Sequence, residues 1–356
     1  MSQKKQAKDE TVIVVGAGLS GLATALGVAL HGQTAVVFEA SDMVGGAAAY
    51  SGGQVWVGDN HVAKREGHPD TLELAEKYVR AVGHEHPELL DETAMHRWLK
   101  VSPIATKYWE DVGAIRWTVI PGLADYHNEA EGALPVGRYL TNEVIDGSAL
   151  GAWREKLNVS PYFPVGTTYA EMFVKGRRLT NVDDEDGAGD QKAGVQAFGL
   201  PDSREKRNDN SDKTADPLTF GTGVVASILA KALQYDSIEI LLEHPVTELL
   251  RDDSGKVVGV RAKGPNGVVE RRGPVVLATS SYDWDPELVQ ELLGLGTEDF
   301  GSVAPKACVA TASSWPARSA VRWSSSPPRP CRCCRAGKAI ATSASPTGRT
   351  TPCPTR

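Results

Sequence analysis

The amino-acid sequence predicts an α/β fold, in which a parallel sheet opened by a βαβ unit is accompanied by a three-stranded antiparallel meander. The βαβ unit is indicated by a β-branched run over Thr11–Val15, a stretch of small and apolar residues over Ser20–Leu30 and a second apolar run over Gln33–Phe38. The meander is indicated by three short strand-like runs joined by turn signals at Ser254-Gly255 and Pro265-Asn266-Gly267.

Two helices and a long loop are predicted between these parts. Asp70 is the expected N-cap of an amphipathic helix over Thr71–Val82, which is expected to end at Gly83. A second helical stretch is expected from about Ser102 through Gly113. Residues 181–217 are rich in Asp, Gly, Lys and Asn, and they are predicted to form a long surface loop.

Regular structure is expected to resume at Phe220 and to return the chain to the sheet. The predicted elements are a helix over Gly223–Leu233 and strands over Ile238–Leu242, Val246–Asp252, Val257–Ala262, Val268–Arg271 and Val275–Ala278.

A glycine-rich turn stands between the first predicted strand and the first predicted helix. Residues Gly16–Gly21 fit the pattern G-x-G-x-x-G, and Glu39 closes the second strand. In a Rossmann-like unit the first glycine permits a tight turn, the second lets the main chain approach a pyrophosphate, and the third allows close packing of helix on strand. A carboxylate at Glu39 can accept hydrogen bonds from a ribose diol and would repel a 2′-phosphate, which disfavours NADP. The alternative is a glycine-rich turn with a solvated Glu39.

The residues after Glu39 favour FAD over NAD. Ala40–Gly46 leads into Tyr50–Trp56, where repeated glycine and serine let main chain lie against a large planar ligand. The order of Glu, a short spacer and Gly-Gly, then Ser-Gly and an aliphatic-Trp pair, resembles the FAD-binding domain shared by fumarate reductase flavoproteins and 3-ketosteroid 1-dehydrogenases. The run Ala49–Trp56 is more similar to the ketosteroid dehydrogenases.

The resemblance extends to about residue 306, so the expected Rossmann-like FAD-binding domain spans residues 11–306. Asp125-Tyr126, followed by Gly137-Arg138, is similar to a segment of the ketosteroid dehydrogenases in which a tyrosine lines the steroid pocket. The resemblance therefore implies that Tyr126 is a catalytic-site residue on the substrate side. An ordinary half-buried loop tyrosine is the alternative.

A second FAD-binding stretch is implied by Val246–Leu249, in which Val246 would contact the adenine through its backbone, and by Val275–Thr279. Two departures from the family, Ala47-Ala48 in place of Thr or Ser and Ser280-Ser281 in place of Gly-Gly, are expected to weaken FAD binding. The residues assigned to FAD are Gly16, Gly18, Ser20, Gly21, Glu39, Ala40, Gly45, Gly46, Ala47, Tyr50, Ser51, Gly52, Gly53, Val246, Ala278 and Thr279.

The reaction implied by the resemblance is dehydrogenation of a carbon–carbon bond next to a ketone. A base would remove the proton alpha to the carbonyl while hydride passes to flavin N5. The expected partners are a steroid-like ketone and an unidentified electron acceptor. Two alternatives remain open: a fumarate-reductase-like flavoprotein, which would need arginines and a histidine clamp for a dicarboxylate, and a non-catalytic FAD-binding fragment.

Charge and hydropathy exclude other classes of function. The net charge is −7, and no Asp or Glu follows Asp299, so the arginine-rich tail is not a basic face on a folded body, which argues against nucleic-acid binding. Residues 1–10 are polar, resemble neither a signal nor a transit peptide, and are expected to be flexible. The apolar run Leu22–Leu30 is too short to cross a bilayer, so a cytoplasmic location without a transmembrane segment is expected.

The composition changes at residue 307. Residues 307–356 are rich in Ser, Pro, Arg and Cys and are expected to be a disordered tail outside the domain. Cys331-x-Cys333-Cys334 could suggest a metal site, but no His follows Cys308, and no metal is predicted. Back-translation of 307–323 in a shifted frame can supply the family's missing Gly-Asp-Gly loop and helix. We therefore hypothesise a frameshift near Lys306 that leaves the fold incomplete and the chain inactive, with a natural disordered tail as the alternative.

Overall fold

The computed structural model describes residues 10–68, 70–84, 87–163, 166–173, 214–296 and 301–308. The chain divides into two units, residues 1–280 and 281–356. The strands of the first unit are β1 (Val12–Val15), β2 (Ala35–Phe38), β3 (Val55–Trp56), β4 (Trp117–Val119), β5 (Tyr139–Asn142), β6 (Ile145–Asp146), β7 (Pro217–Leu218), β8 (Ile238–Leu241), β9 (Val246–Arg251), β10 (Val257–Gly264), β11 (Gly267–Arg272) and β12 (Val275–Leu277). Its α-helices are α1 (Leu19–Leu30), α2 (Gly46–Tyr50), α3 (His61–Arg65), α4 (Leu72–Val82), α5 (Glu92–Asp111), α6 (Tyr169–Phe173) and α7 (Phe220–Ala232).

The predicted parallel sheet is confirmed. Strands β12, β1, β2 and β8 lie side by side in that order, and each neighbouring pair is parallel. β2 is buried along its whole length and β1 along most of it, as expected for strands that are covered by helices on both faces. Leu22 and Leu26 of α1 and Leu229 of α7 belong to the core cluster that includes these strands. Because the strands are parallel, their carboxyl ends share one edge of the sheet.

The predicted antiparallel meander is also confirmed. β9 pairs with β10, and β10 pairs with β11, in antiparallel register. Gly255 and Gly267 in the two connections both have positive φ, as the predicted turns require. Arg261 in the central strand forms ion pairs with Glu248 on one side and Glu270 on the other. These pairs are largely exposed, so they contribute little to stability.

Two small antiparallel sheets are not predicted by the sequence. β3, β5 and β4 form one sheet, and β6 pairs with β7 in the other. Strands of two to four residues are too short to show a readable periodicity. The predicted C-terminal boundary of the loop over residues 181–217 is wrong, because Pro217 lies in β7 opposite Asp146. The rest of that loop, up to residue 213, lies outside the described residues.

Three helix boundaries differ from the prediction. The N-cap of α4 is Thr71, whose hydroxyl accepts a hydrogen bond from Leu74 N at 3.2 Å, whereas Asp70 is buried in another contact described below. α5 begins at Glu92 rather than near Ser102, since the Ser-Pro pair that resembles a helix start lies inside the helix, with Pro103. α7 begins at Phe220, one turn before the expected Gly223.

The second unit contains a helix, α8 (Pro286–Leu293), that the sequence analysis does not predict. Its N-cap Asp285 accepts a hydrogen bond from Leu288 N at 3.0 Å, and Gly294 ends it with a φ of +65°. Of the tail predicted over 307–356, only residues 307 and 308 are described. Across the part of the chain that the structure describes, no helix is both long and apolar enough to span a membrane.

Candidate functional site

The glycine loop, residues 16–21, connects β1 to α1 at the carboxyl edge of the parallel sheet. Gly16 has a φ of +106°, and a Cβ there would lie 2.5 Å from the carbonyl oxygen of Ala278. A Cβ on Gly21 would overlap the carbonyl oxygen of Gly16. The first and third glycines of the motif are therefore required by the packing of the protein itself.

The second glycine of the loop is different, because the protein does not fill the space beside it. A Cβ on Gly18 would have Gly45 O as its nearest neighbour, at 4.0 Å. Gly18 is the N-cap of α1 and provides no side-chain cap, and no acidic residue stands in the first turn, which includes Ser20. Amide groups at the start of a helix are donors without intrahelical partners and attract anions. The loop thus offers a cradle for a phosphate group that a Cβ would obstruct.

Glu39 lies against the glycine loop, at the end of β2. One carboxylate oxygen, Oε2, accepts a hydrogen bond from Ala17 N at 2.7 Å. The other, Oε1, accepts from the amide of Ser41 at 3.0 Å, and the Ser41 hydroxyl, which also lies 2.7 Å from Met43 O, is at the same distance from Oε1. An ionised carboxylate can accept about four hydrogen bonds, so about one position remains for a ribose hydroxyl. Ala40, the next residue, is exposed beside this carboxylate.

The segment from Gly45 to Gly53 runs from the glycine loop to the start of α7. Gly45 N donates to Ala17 O at 2.9 Å, and Gly46, Ala47 and Tyr50 belong to the short helix α2. Gly221 N donates to Ser51 O at 3.0 Å. A Cβ on Gly53 would clash with the backbone of Phe220, so main chain packs directly on main chain here. The assigned residues of this segment are therefore continuous with the glycine loop.

The assigned residues of the second stretch also reach this edge of the sheet. Ala278 N donates to Val15 O at 2.8 Å, and Thr279 follows it beside Gly16. His244 N donates to Glu39 O at 2.7 Å, so the chain that leads into Val246 passes next to Glu39. Val246 itself is buried at the start of β9.

Tyr126 lies at the far end of the Gly45–Gly53 segment. Its hydroxyl donates a hydrogen bond to Oε1 of Gln54 at 2.7 Å, and its ring stacks on Tyr139 with a centroid distance of 5.0 Å. The side chain is not half-buried as the alternative interpretation expects, since Tyr126 is 66% exposed. The phenol is thus both held in place and accessible.

A buried guanidinium holds the residue next to Tyr126. Arg138 is 1% exposed and donates to both oxygens of Asp70, at 2.8 and 3.0 Å, and to Asp125 at 2.8 Å. Trp56 Nε1 donates to the other oxygen of Asp125 at 2.7 Å, and Arg138 also lies over the Trp56 ring. Asp125 is therefore fixed from two sides, and Tyr126 is fixed with it.

Sequence reasoning assigns no role to three residues of this region. Arg138 is noted only as part of a family-like Gly-Arg pair, and Gln54 only as a spacer between glycine and Val55. Tyr169 of α6 is not noted at all, although its hydroxyl donates to Gly52 O at 2.7 Å. Burial raises the pKa of Tyr169, and burial likewise raises the pKa of Tyr139. No local pattern identifies a partner that is more than a hundred residues away.

The family of the chain follows from a comparison with known protein families. The family model described as the FAD binding domain matches residues 11–327, which is most of the chain. The chain belongs to this family of FAD-binding domains. FAD is accordingly its cofactor. The match extends to residue 327, beyond the predicted end of the domain at Lys306. The frameshift near Lys306 therefore stays a prediction.

Curated relatives of this FAD-binding domain act, by their names, on ring ketones. The 3-oxosteroid 1-dehydrogenase of Mycolicibacterium smegmatis is 34% identical over 141 residues, which are 39% of this chain and 24% of that protein. The 4-oxocyclohexanecarboxylate 2-dehydrogenase of Sinomonas cyclohexanicum is 27% identical over 291 residues, which are 79% of this chain and 45% of that protein. The chain thus spans less than half the length of either relative.

Solved structures share the fold of this FAD-binding domain. The 3-ketosteroid Δ1-dehydrogenase from Sterolibacterium denitrificans, in complex with 1,4-androstadiene-3,17-dione, superposes with a TM-score of 0.64 at 20% identity and covers 85% of this chain and 54% of its own. A flavocytochrome c3 fumarate reductase in its open conformation gives a TM-score of 0.52 at 16% identity, covering 85% and 39%. The chain is therefore related in fold to both groups of flavoproteins.

The residues of the FAD-binding domain fit the cofactor at its diphosphate end. The open space beside Gly18, the start of α1 and the carboxylate of Glu39 lie together, as a dinucleotide requires. The departure at Ala47-Ala48 removes hydroxyl donors but adds no group that blocks the segment. No cluster of three or more His, Cys, Asp or Glu among the described residues could hold a metal ion, and Cys331, Cys333 and Cys334 lie outside them.

Proposed function

We propose that this chain is the FAD-binding part of a dehydrogenase that introduces a double bond next to a ring ketone, with a 3-ketosteroid as its substrate class. The observation that carries the proposal is the accessible phenol of Tyr126, held by Gln54 at the end of the glycine-rich segment. A phenol can donate a hydrogen bond to a ketone or accept one from its enol, and a phenol carries no charge at neutral pH.

The charge of this surface supports a neutral substrate. The side chains recorded in contact with Tyr126 or Gln54, in the ranges that the structure describes, are phenols and an amide. Arg138 in the same region is buried and already paired with Asp70 and Asp125, so it cannot bind a dicarboxylate. This arrangement favours a ketone over fumarate, the substrate of the alternative flavoprotein.

The roles of the residues follow from their positions. Gly18, with the first turn of α1, would bind the diphosphate, and Glu39 would bind the ribose. When bound, FAD supplies the acceptor for the hydride that leaves the substrate. Tyr126 would lie against the ketone end of the substrate and contact its enol form, and Asp125 and Arg138 would keep Tyr126 in position.

Because the frameshift hypothesised at Lys306 would leave this chain inactive, a dye-linked assay tests the proposal on the FAD-loaded protein whose reading frame after Lys306 has been restored. We expect a 3-ketosteroid to reduce an artificial electron acceptor, and we expect fumarate not to oxidise a reduced dye. Since the relative that aligns over more of the chain is named for 4-oxocyclohexanecarboxylate, this smaller ketone is the second substrate to test. Turnover of neither ketone by a preparation that retains the flavin absorption spectrum would overturn the proposal and leave an FAD-binding fragment.

We also propose that the reading frame changes near Lys306 and that residues 307–356 arise from the shifted frame, although the family match itself runs to residue 327. The support is compositional: acidic residues end at Asp299, and Ser, Pro, Arg and Cys dominate thereafter. Resequencing the gene across this codon tests it. An intact reading frame, with no homologous sequence in another frame downstream, would contradict the proposal.

A further inference from the structure

Gln54 occupies a position between Tyr126 and the glycine-rich segment. Its carbonyl oxygen accepts the proton of the Tyr126 hydroxyl at 2.7 Å, across 72 positions of sequence. Because Gln54 directly follows Gly52-Gly53 and precedes β3, its backbone is fixed by that packing. The hydrogen bond therefore connects the phenol to the main chain that the cofactor is expected to contact.

Tyr169 supports Gln54 from the protein interior. The Tyr169 hydroxyl donates to Gly52 O at 2.7 Å and also interacts with the side chain of Gln54. A Cβ on Gly52 would lie 2.5 Å from this hydroxyl oxygen, so Tyr169 packs directly against the main chain that precedes Gln54. Tyr169 is 4% exposed and packs edge-on against Phe220, which leaves it little freedom to move.

The ring and backbone of Tyr126 are fixed independently of Gln54. Tyr139 stacks on the ring, and Asp125 is held by Arg138 and Trp56. The remaining freedom of Tyr126 is the direction of its O–H bond, which rotates to suit its acceptor. Among the groups recorded at this hydroxyl in the described part of the chain, Gln54 is the acceptor.

We propose that Gln54 is a positioning residue, which keeps the proton of Tyr126 turned inward so that the phenol presents its oxygen lone pair, rather than its proton, to the substrate. We call Gln54, Tyr126, Tyr139 and Tyr169 the tyrosine brace. The proposal rests on the proposed function in one respect, that Tyr126 faces the substrate. The orientation itself does not depend on that function. It implies that Tyr126 accepts a hydrogen bond from the enol form of the substrate and that another group polarises the ketone.

The orientation is tested by ¹³C NMR of the FAD-loaded chain with ¹³Cζ-labelled tyrosine. The Tyr126 resonance is assigned by its loss in Tyr126→Phe. Gln54→Leu removes the acceptor at similar size, and we expect the Tyr126 resonance to shift by more than its linewidth. Gln54→Glu retains acceptor oxygens and, as a stronger acceptor, should shift the resonance in the opposite direction. Gln234→Leu, the same substitution at an exposed position, should leave it unchanged.

Tyr169→Phe provides a second variant that keeps the ring in place. Loss of its hydroxyl frees Gln54 on one side, so a smaller shift of the Tyr126 resonance in the direction of Gln54→Leu is expected. An unchanged Tyr126 resonance in both Gln54→Leu and Tyr169→Phe would overturn the proposal.

A kinetic measurement separates this inference from the proposed function. With a 3-ketosteroid and a dye acceptor, we expect Gln54→Leu to lower kcat about tenfold and to change KM by less than about threefold, because orientation matters most in the transition state. If the protein with its reading frame restored turns over no ketosteroid while the resonance shifts as expected, the proposed function fails and the positioning role of Gln54 stands. A loss confined to KM, with kcat unchanged, would contradict the positioning role.

Discussion

The glycine loop and the tyrosine brace stand at opposite ends of the candidate site and are built from different parts of the chain. The glycine loop consists of main chain from one short segment, and its essential feature is the absence of side chains at Gly16, Gly18 and Gly21. The tyrosine brace consists of side chains from distant segments, supported by the buried Arg138. Substitutions that add atoms should therefore disrupt the glycine loop, whereas substitutions that remove atoms should disrupt the tyrosine brace.

The largest effect is expected from removing the buried cation. Arg138→Met would leave Asp70 and Asp125 buried without their partner, and we expect a loss of about 3–5 kcal/mol in the free energy of unfolding. Urea denaturation measures it. Lys107→Ala, which breaks the exposed pair with Asp111, should cost less than about 0.5 kcal/mol. Equal losses in the two variants would show that the Arg138 network does not hold the loop of Tyr126.

A smaller loss in the free energy of unfolding is expected from adding one carbon atom to the glycine loop. Gly21→Ala places a Cβ on the carbonyl of Gly16, and we expect destabilisation of about 2–3 kcal/mol. Gly27→Ala is the matched control in the same helix, since its Cβ would have Trp109 as nearest neighbour, at 4.0 Å. Helix propensity should make that variant as stable as the wild type or more so, by up to about 1 kcal/mol. A neutral Gly21→Ala in the same thermal melts would refute the close packing of α1 on the loop.

The sequence predicts the glycine loop, but of the tyrosine brace it predicts only Tyr126, and that only by family resemblance. Gly16, Gly21 and Glu39 are read from one βαβ unit, because strand, turn and helix follow one another along the chain. Gln54 and Tyr169 meet only through the fold. Asp70 shows the same limit: its position before an amphipathic helix indicates an N-cap, but its carboxylate is used by a buried Arg138 that no local pattern reveals.

Alkaline pH should act on the tyrosine end of the site. Burial raises the pKa of Tyr169, so the unfolded chain releases this proton near pH 10 while the folded chain retains it. The contribution of Tyr169 to the free energy of unfolding is therefore fully present below about pH 10. It is lost as the pH rises further, by at most about 1.4 kcal/mol per pH unit. Urea denaturation at several alkaline pH values should give a shallower decline for Tyr169→Phe than for wild type. Tyr162→Phe, at a half-exposed position, is the control, and equal slopes in all three proteins would refute the effect.

The most direct test of the account is the affinity of Gly18→Ala for FAD. The central claim is that the free space beside Gly18 receives the diphosphate, and the protein itself leaves room for a Cβ there, with 4.0 Å to Gly45 O. We therefore expect Gly18→Ala to melt like the wild type but to bind FAD about a hundredfold more weakly in a fluorescence titration, which is about 2.7 kcal/mol. Gly27→Ala should bind as the wild type does. Equal affinity of wild type, Gly18→Ala and Gly27→Ala would contradict the claim that this loop holds the cofactor.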